Sequence, residues 1–250
     1  MMTEATTSEG PHQYLSALRQ HVLGPLRDAI EIAEQEYREV ENEQAAFEEF
    51  AARVSAVPTV STPTQTLPIE SASGESPPQR AAELRAAYRE TVMAVPHYTD
   101  VYDETIGESL VAEFGPELAE LFEPTNGISF TAYHKDALVT AAEQSATERG
   151  EFHDTLSTER ASLGSLCQDL EALLDEFDTN IVPAWYRQRF IERLDDVLQT
   201  RQSVLDKRTS VAYLDGHSLC EYLYSEGPWT YPVLTAVARL LDSVVFQERD

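Results

Sequence analysis

The sequence predicts an all-α fold, an elongated coiled-coil-like helical bundle with short capping helices. Two long stretches repeat apolar residues in alternating steps of four and three, which is the spacing of helices that pack along a seam. Prolines and Gly-Pro pairs separate these stretches from shorter helical patterns, and no strand-like alternation of useful length occurs. We therefore expect two helices of about 36–50 residues whose apolar seams are covered by other helices.

The longer repeat runs from Leu138 to Phe177 without a proline. Ser129 is placed to cap the start of this helix. The spacing predicts one uninterrupted helix whose apolar edge packs against a partner helix. The seam consists of Leu138, Ala142, Ser145, Arg149, Phe152, Leu156, Glu159, Leu163, Leu166, Leu170, Leu173 and Phe177.

The other repeat predicts a long N-terminal helix over residues 12–57, preceded by a disordered N-terminus over residues 1–11. Five prolines among Ser, Thr and Gly predict a linker over residues 58–79, because proline removes helical hydrogen bonds. Residues 80–250 are then expected to form a helical bundle domain. The seam of the first helix consists of Val22, Leu26, Ala29, Ala33, Glu36, Val40, Glu43, Phe47, Phe50, Val54 and Val57.

Shorter helices are predicted within residues 80–250, ending at Pro96, at Gly115-Pro116 and at Gly227-Pro228. A helix after Pro183 carries its apolar residues in heptad phase, and the last helix starts near Thr230 with a wide apolar face. The heptad residues after Pro183 are Ile191, Leu194, Leu198 and Leu205.

The chain carries 44 acidic against 18 basic residues, a formal charge of −26. Two of the bases are lysines, and the acids are spread over the whole chain, which favours a protein that works in high salt, where screening cancels self-repulsion. The alternative is an ordinary acidic cytosolic protein. The charge disfavours nucleic-acid binding, although less strongly in a halophile, where the whole proteome is acidic.

Several features predict a cytoplasmic protein without a membrane span. The first ten residues contain neither a basic region nor an apolar run, so we expect no signal peptide. The most apolar stretch, residues 231–246, is too short for a bilayer and contains two charges. Cys167 and Cys220 have neither metal-ligand nor disulfide spacing and are expected as buried thiols.

Four charged residues fall within the predicted seams: Glu36, Glu43, Arg149 and Glu159. A charge in a helix seam is costly unless it is paired, and pairing fixes the register of the helices. We expect an interhelical ion pair between Arg149 and either Glu36 or Glu43. A structural role in setting the register is favoured over catalysis.

His97, Asp103 and Glu104 lie with three tyrosines around the helix break at Pro96. This group is a weak candidate for a metal or ligand site, and the alternative is a packed helix corner in which His97 acts as a cap. The Glu-x-x-His spacing of a di-iron bundle occurs only at Glu9–His12, next to Gly-Pro. Phosphate-loop and nucleophile-elbow motifs do not occur, so we expect no cofactor.

Aromatic residues gather near the C-terminus at Tyr222, Tyr224, Trp229 and Tyr231. Such residues either belong to the core or form a hot spot for a protein partner. The core alternative is favoured, because the neighbouring helices need a cap for their apolar ends.

Three stretches carry a resemblance to a known family: residues 88–93 (YRETVM), residues 96–98 with 102–104 (PHY and YDE), and residues 229–234 (WTYPVL). Together they resemble an uncharacterised family of helical proteins from halophilic archaea, from about residue 80 onward and more loosely in the first helix. The resemblance implies a haloarchaeal cytoplasm. It implies no activity, and no catalytic residues follow from it.

From these features we predict a protein-interaction or scaffold module that binds a protein partner or self-associates through its long helices. The alternative is a ligand- or metal-binding sensor centred on His97. An enzyme is the third possibility, and we place no catalytic residues.

Overall fold

The computed structural model describes residues 11–60, 76–179, 184–206 and 218–246. All regular elements in these ranges are helical, which confirms the predicted all-α class. The α-helices are α1 Pro11–Ala56, α2 Pro77–Glu90, α3 Tyr98–Val101, α4 Ile106–Ala119, α5 Ala132–Thr179, α6 Ala184–Asp206, α7 Leu219–Tyr224 and α8 Pro232–Phe246, with 3-10 turns at Val92–Ala94 and Glu120–Phe122.

The chain divides into two compact units, and the long helices contribute to both. Unit 1 comprises Met1–Tyr37 and Asp154–Asp250, and unit 2 comprises Arg38–His153. Residues 1–10 of the predicted disordered N-terminus and most of the predicted linker over residues 58–79 lie outside the described residues, and Pro11 begins α1. The separation of a linker from a helical domain at residue 80 stays a prediction.

Helix α5 is one 48-residue helix over the stretch with the stronger heptad repeat. Each predicted seam position from Leu138 to Leu173 is buried, while the side chain of Phe177 lies outside the described part of the chain. The predicted cap at Ser129 is wrong, because the helix begins at Ala132 and the Thr131 hydroxyl accepts the His134 amide at 3.3 Å.

Aromatic packing forms the core of unit 2. The ring of Phe50 on α1 stacks on Phe114 of α4 at 5.7 Å between centroids, and it meets Tyr88 of α2 edge-on at 5.3 Å. Phe122 stacks on Phe114 in turn, at 6.4 Å. The buried Tyr88 hydroxyl bonds to the Ser109 hydroxyl at 2.8 Å. These contacts hold α2 and α4 against the second half of α1.

The core of unit 1 takes apolar residues from the start of α1, the end of α5, and α6 to α8. The buried face of α6 is turned relative to the predicted one, since Ile191, Leu198 and Leu205 are only half-buried. Among the side chains of α6 that the structure describes, the buried ones are Phe190, Leu194, Val197 and Arg201.

In each unit, α1 and α5 run antiparallel. In unit 1 Arg27 pairs with Glu171, and Arg160 pairs with Glu34. In unit 2 Arg149 pairs with Glu43, and the Lys135 ammonium donates to the Ser55 carbonyl at 2.8 Å. Of the helices in the described ranges, none combines the length and apolar character needed to cross a membrane.

Helix α4 contains a bend at Gly115, where φ is 76° and the backbone leaves the helical region. L-residues with a side chain are strained at such a φ, whereas glycine is not. The bend is followed by Pro116 and brings the segment round to Phe122 in the aromatic core.

We expect Gly115→Ala to lower the free energy of unfolding by about 1–2 kcal/mol, because alanine is strained at positive φ. A Cβ at Gly115 meets no atom within 4 Å, so the effect is one of backbone conformation alone. Gly164→Ala is the matched control, since its Cβ also meets nothing and the residue is helical within α5. The control should raise the free energy of unfolding by about 0.5–1 kcal/mol. Urea denaturation measures both variants. If Gly115→Ala and Gly164→Ala changed the free energy of unfolding by the same amount and in the same direction, the backbone argument would be contradicted.

Candidate functional site

Two groups of polar side chains, each centred on a buried ion pair, are the most distinctive polar features of the described residues. The first, which we call the Arg149 cluster, comprises Glu43, His97, Tyr102, Glu113 and Arg149 in unit 2. The second, the Glu159 cluster, comprises Glu159, Arg201, Cys220 and Tyr224 in unit 1. Each cluster contains one charged seam residue of α5, Arg149 in the first and Glu159 in the second.

The carboxylate of Glu43 is the acceptor at the centre of the Arg149 cluster. Its Oε1 accepts from His97 Nε2 at 3.0 Å and from the Tyr102 hydroxyl at 2.6 Å, and its Oε2 accepts from Arg149 Nε at 2.8 Å. Glu43, His97 and Arg149 are 6–8% exposed. Burial without such partners would cost several kcal/mol per charge, so each donor compensates part of the lost hydration of Glu43.

The guanidinium of Arg149 is held on several sides. Its Nη2 donates to Glu113 Oε1 at 2.6 Å, and its Nη1 donates to the Ser145 carbonyl at 3.3 Å. The guanidinium carbon lies 4.2 Å from the centre of the Phe47 ring, a cation–π contact. One arginine therefore connects α1, α4 and α5, and Glu43 adds the segment from His97 to Tyr102.

The predicted trio of His97, Asp103 and Glu104 is divided between different partners. His97 donates to Glu43, while Glu104 accepts from the Tyr98 hydroxyl at 3.0 Å. Burial raises the pKa of Tyr98 to about 12, and its hydrogen bond to Glu104 acts in the same direction, so the phenol remains a donor at neutral pH.

Asp103 is exposed and has a φ of 39°, in the left-handed region. This conformation turns the chain between Tyr102 and Glu104, each of which bonds to a different residue. Within the residues that the structure describes, no group of three or more His, Cys, Asp or Glu side chains is arranged to hold a metal ion. The metal-site hypothesis therefore stays a prediction without support from the geometry.

In the Glu159 cluster a carboxylate with 0% exposure meets an arginine with 5% exposure. Arg201 Nη1 and Nη2 donate to the two oxygens of Glu159 at 2.7 and 2.8 Å, a bidentate pair. The Tyr224 hydroxyl donates to the same carboxylate at 2.8 Å, and Arg201 Nη2 lies 3.3 Å from Cys220 Sγ. The cluster joins α5, α6 and α7.

The pKa values in this cluster favour the paired charges. Burial by itself lowers the pKa of Arg201, but the hydrogen bonds and charge of Glu159 outweigh burial and raise it above its ordinary value. Burial, followed by the charge of Glu159, raises the pKa of Tyr224 far above its ordinary value. Tyr224 therefore stays protonated and continues to donate.

The C-terminal aromatic residues separate into a buried and an exposed set. Tyr224 is 1% exposed, whereas Tyr222, Trp229 and Tyr231 are 39%, 37% and 46% exposed. The Tyr222 hydroxyl donates at 2.7 Å to Glu36, the half-buried seam residue of α1. The Arg239 guanidinium carbon lies 4.3 Å from the Trp229 ring centre.

Two residues of these clusters, Glu113 and Arg201, were not identified from the sequence. Glu113 lies on α4, opposite Arg149, and no local pattern marks it. Arg201 does carry a signal, because it follows Leu194 by one heptad and so falls in the seam of α6. A carboxylate in the seam of α5, as at Glu159, requires a cation of this kind on a neighbouring helix.

Comparison with known protein families gives a match over most of the chain. Residues 24–247 match the family model of a domain of unknown function, DUF7260. A search of curated proteins and a search of solved structures each found no match.

We expect Arg201→Met to lower the free energy of unfolding by about 3–5 kcal/mol, because it leaves Glu159 charged and buried without its counterion. Adding Glu159→Gln should recover at least about half of that loss, since the amide carries no charge and still accepts from Tyr224. Urea denaturation at constant KCl measures both.

The matched control is Arg27→Met. The side chains of Arg27 and Glu171 are 54% and 42% exposed, so we expect a loss below about 1 kcal/mol. Arg201→Met could instead lower the free energy of unfolding no more than the control does. Burial of the Glu159 charge would then not be the reason that the pair is needed.

Proposed function

The chain belongs to the DUF7260 family, and we propose that it serves as a helical protein-interaction or scaffold module. One observation carries the proposal: three aromatic side chains of one short stretch, Tyr222, Trp229 and Tyr231, are exposed at the surface, whereas Tyr224 beside them is buried. Aromatic side chains bury large areas at low entropic cost and dominate binding hot spots.

The framework suits a scaffold because its charged interior residues hold helices together. Arg149 contacts both Glu43 and Glu113, and Arg201 contacts Glu159. Each bond of this kind is broken by a slip of one helix along another. A surface presented by helices with a fixed register keeps its shape, which lowers the entropic cost of binding.

The exposed aromatics have limited freedom before any partner binds. Tyr222 is tied to Glu36 through its hydroxyl, and Trp229 lies against the Arg239 guanidinium. Side chains held in this way lose less rotamer entropy on binding than free ones. We infer that they form a prepared contact surface for another protein.

We also propose that the protein functions in the cytoplasm of a halophilic archaeon. Two features support adaptation to molar salt: the formal charge of −26, and a base content of 16 arginines but only 2 lysines. In such salt the Debye length falls to about 3 Å, so the repulsion among surface carboxylates is suppressed and apolar recognition remains effective.

The interaction proposal predicts that capture of a protein partner depends on the exposed aromatics. The tagged 250-residue chain would be immobilised in molar KCl and exposed to extract from the cells that produce it, with bound proteins identified by mass spectrometry. The double variant Trp229→Ala with Tyr231→Ala should reduce the amount of captured partner at least about tenfold, as expected for the loss of two hot-spot side chains.

The control for this capture is Val101→Ala with Tyr133→Ala, which removes side chains that are 55% and 77% exposed in unit 2. The control should capture the partner like the unaltered chain. Circular dichroism verifies that all variants stay helical. Equal capture by both double variants, or capture of nothing by the unaltered chain, would overturn the proposal.

The halophilic proposal predicts a strong dependence of stability on salt. Raising KCl from about 0.2 to about 3 M should raise the thermal midpoint by roughly 10 °C or more, because screening removes carboxylate repulsion. Circular dichroism at the helical minimum measures the midpoint. An equal osmolality of a neutral osmolyte is the control and should give a smaller rise, whereas an unchanged midpoint in KCl would contradict the adaptation.

A further inference from the structure

Two side chains of the segment that contains α3 bind the same carboxylate oxygen of α1. We call residues 92–105 the α3 strap. Its His97 Nε2 and its Tyr102 hydroxyl both donate to Oε1 of Glu43, at 3.0 and 2.6 Å. The strap also buries apolar surface, since Tyr98 is 7% exposed. Glu43 is therefore a point at which a change of charge can alter how firmly the strap is held on α1.

The charges that face His97 do not balance while its ring is neutral. Glu43 of α1 and Glu113 of α4 supply two negative charges, and Arg149 of α5, which pairs with both, supplies one positive charge. One negative charge is left over in a group in which Glu43, His97 and Arg149 are 6–8% exposed. A proton on His97 places a positive charge 3.0 Å from Glu43 and brings the sum to zero.

The α3 strap itself contributes acids and no second base. Asp100, Asp103 and Glu104 lie within residues 92–105, which contain neither lysine nor arginine. The two tyrosines of the strap carry no charge near neutral pH. His97 is thus the one side chain of the strap that can become positive, and histidine is the residue whose charge changes between pH 5 and 8.

We propose that the α3 strap is a pH-sensitive latch that is closed on α1 by a proton on His97. Nε2 can donate to Glu43 in both charge states of the ring, so the proton changes the strength of the contact and not its partners. Arg149 binds the other oxygen of Glu43, so its repulsion acts over a longer distance than the attraction between His97 and Glu43. The proposal goes beyond the interaction function proposed above and does not depend on it.

The direction of the pH effect follows from the charge balance of the folded chain. A charged ring is tolerated in this buried group because each charge then has an opposite partner. In the unfolded chain His97 lies in water and gains no such partner. Acidification from about pH 8 to about pH 6 therefore tightens the closed strap, because the folded chain takes up the additional proton. Below about pH 5 the carboxylates begin to be protonated and the balance is lost again.

The test is hydrogen exchange of the strap amides in the 250-residue chain at constant KCl, measured by mass spectrometry and corrected for the intrinsic exchange rate at each pH. In the unaltered chain we expect protection of residues 92–105 to be about fivefold higher at pH 6 than at pH 8. His97→Gln should show equal protection at both pH values, because its amide can donate to Glu43 but cannot take up the proton.

Glu113→Gln tests the charge balance without a change at His97. This variant leaves one carboxylate and one guanidinium, which balance while His97 is neutral, so most of the pH effect should disappear. The carboxylate of Glu113 binds Arg149, and a purely structural role of His97 would not make the pH effect depend on it. The side chain of Glu113 is 23% exposed, so this variant also decides the question if His97→Gln fails to fold.

The matched control is His134→Gln. His134 is half-buried, and its Nδ1 bonds to the Ser129 carbonyl at 2.9 Å, so its ring meets a neutral acceptor where His97 meets a carboxylate. The control should keep the pH effect of the unaltered chain. Equal protection of the strap at pH 6 and pH 8 in the unaltered chain would overturn the latch, and so would a pH effect that persists undiminished in His97→Gln or in Glu113→Gln.

Discussion

The constraint on which the fold depends is that charges buried in a helix seam must meet opposite charges. Arg149 and Glu159 occupy seam positions of α5 and are almost fully buried. Leucine layers of neighbouring heptads resemble one another, so apolar packing alone tolerates a slip of α1 by one heptad, about 10 Å. A slip of one heptad that placed Glu36 opposite Arg149 would leave the buried Glu43 without its guanidinium partner. The ion pairs therefore select one register among several that the leucines allow.

Arginine rather than lysine is required at these positions. Arg149 reaches Glu43 through Nε and Glu113 through Nη2, and Arg201 contacts both oxygens of Glu159. A planar guanidinium can serve several acceptors in fixed directions and still lie on an aromatic ring, as Arg149 does on Phe47. A lysine ammonium is a compact, strongly hydrated charge and cannot replace this geometry. The shortage of lysine in the chain is consistent with a fold in which cations connect helices.

The heptad repeat was sufficient to predict the all-α class and the buried seam of α5, because a period set by helix geometry persists over many turns. It also limited the partner of Arg149 to two glutamates, of which the structure uses Glu43. The buried face of α6 was predicted incorrectly, since Leu198 and its neighbours offered an equally apolar phase and the polar Arg201 was left out. Glu113 could not be found at all, because its place opposite Arg149 depends on the bend of α4 and on tertiary packing.

The C-terminal aromatics show how one short stretch serves both the core and the surface. Tyr222 and Tyr224 are two residues apart on α7, about 200° around the helix, so they point in nearly opposite directions. Tyr224 bonds to the buried Glu159, and Tyr222 remains at the surface. In molar salt, exposed ion pairs are screened while apolar burial keeps its strength, so a recognition surface gains more from aromatic and aliphatic side chains than from charges.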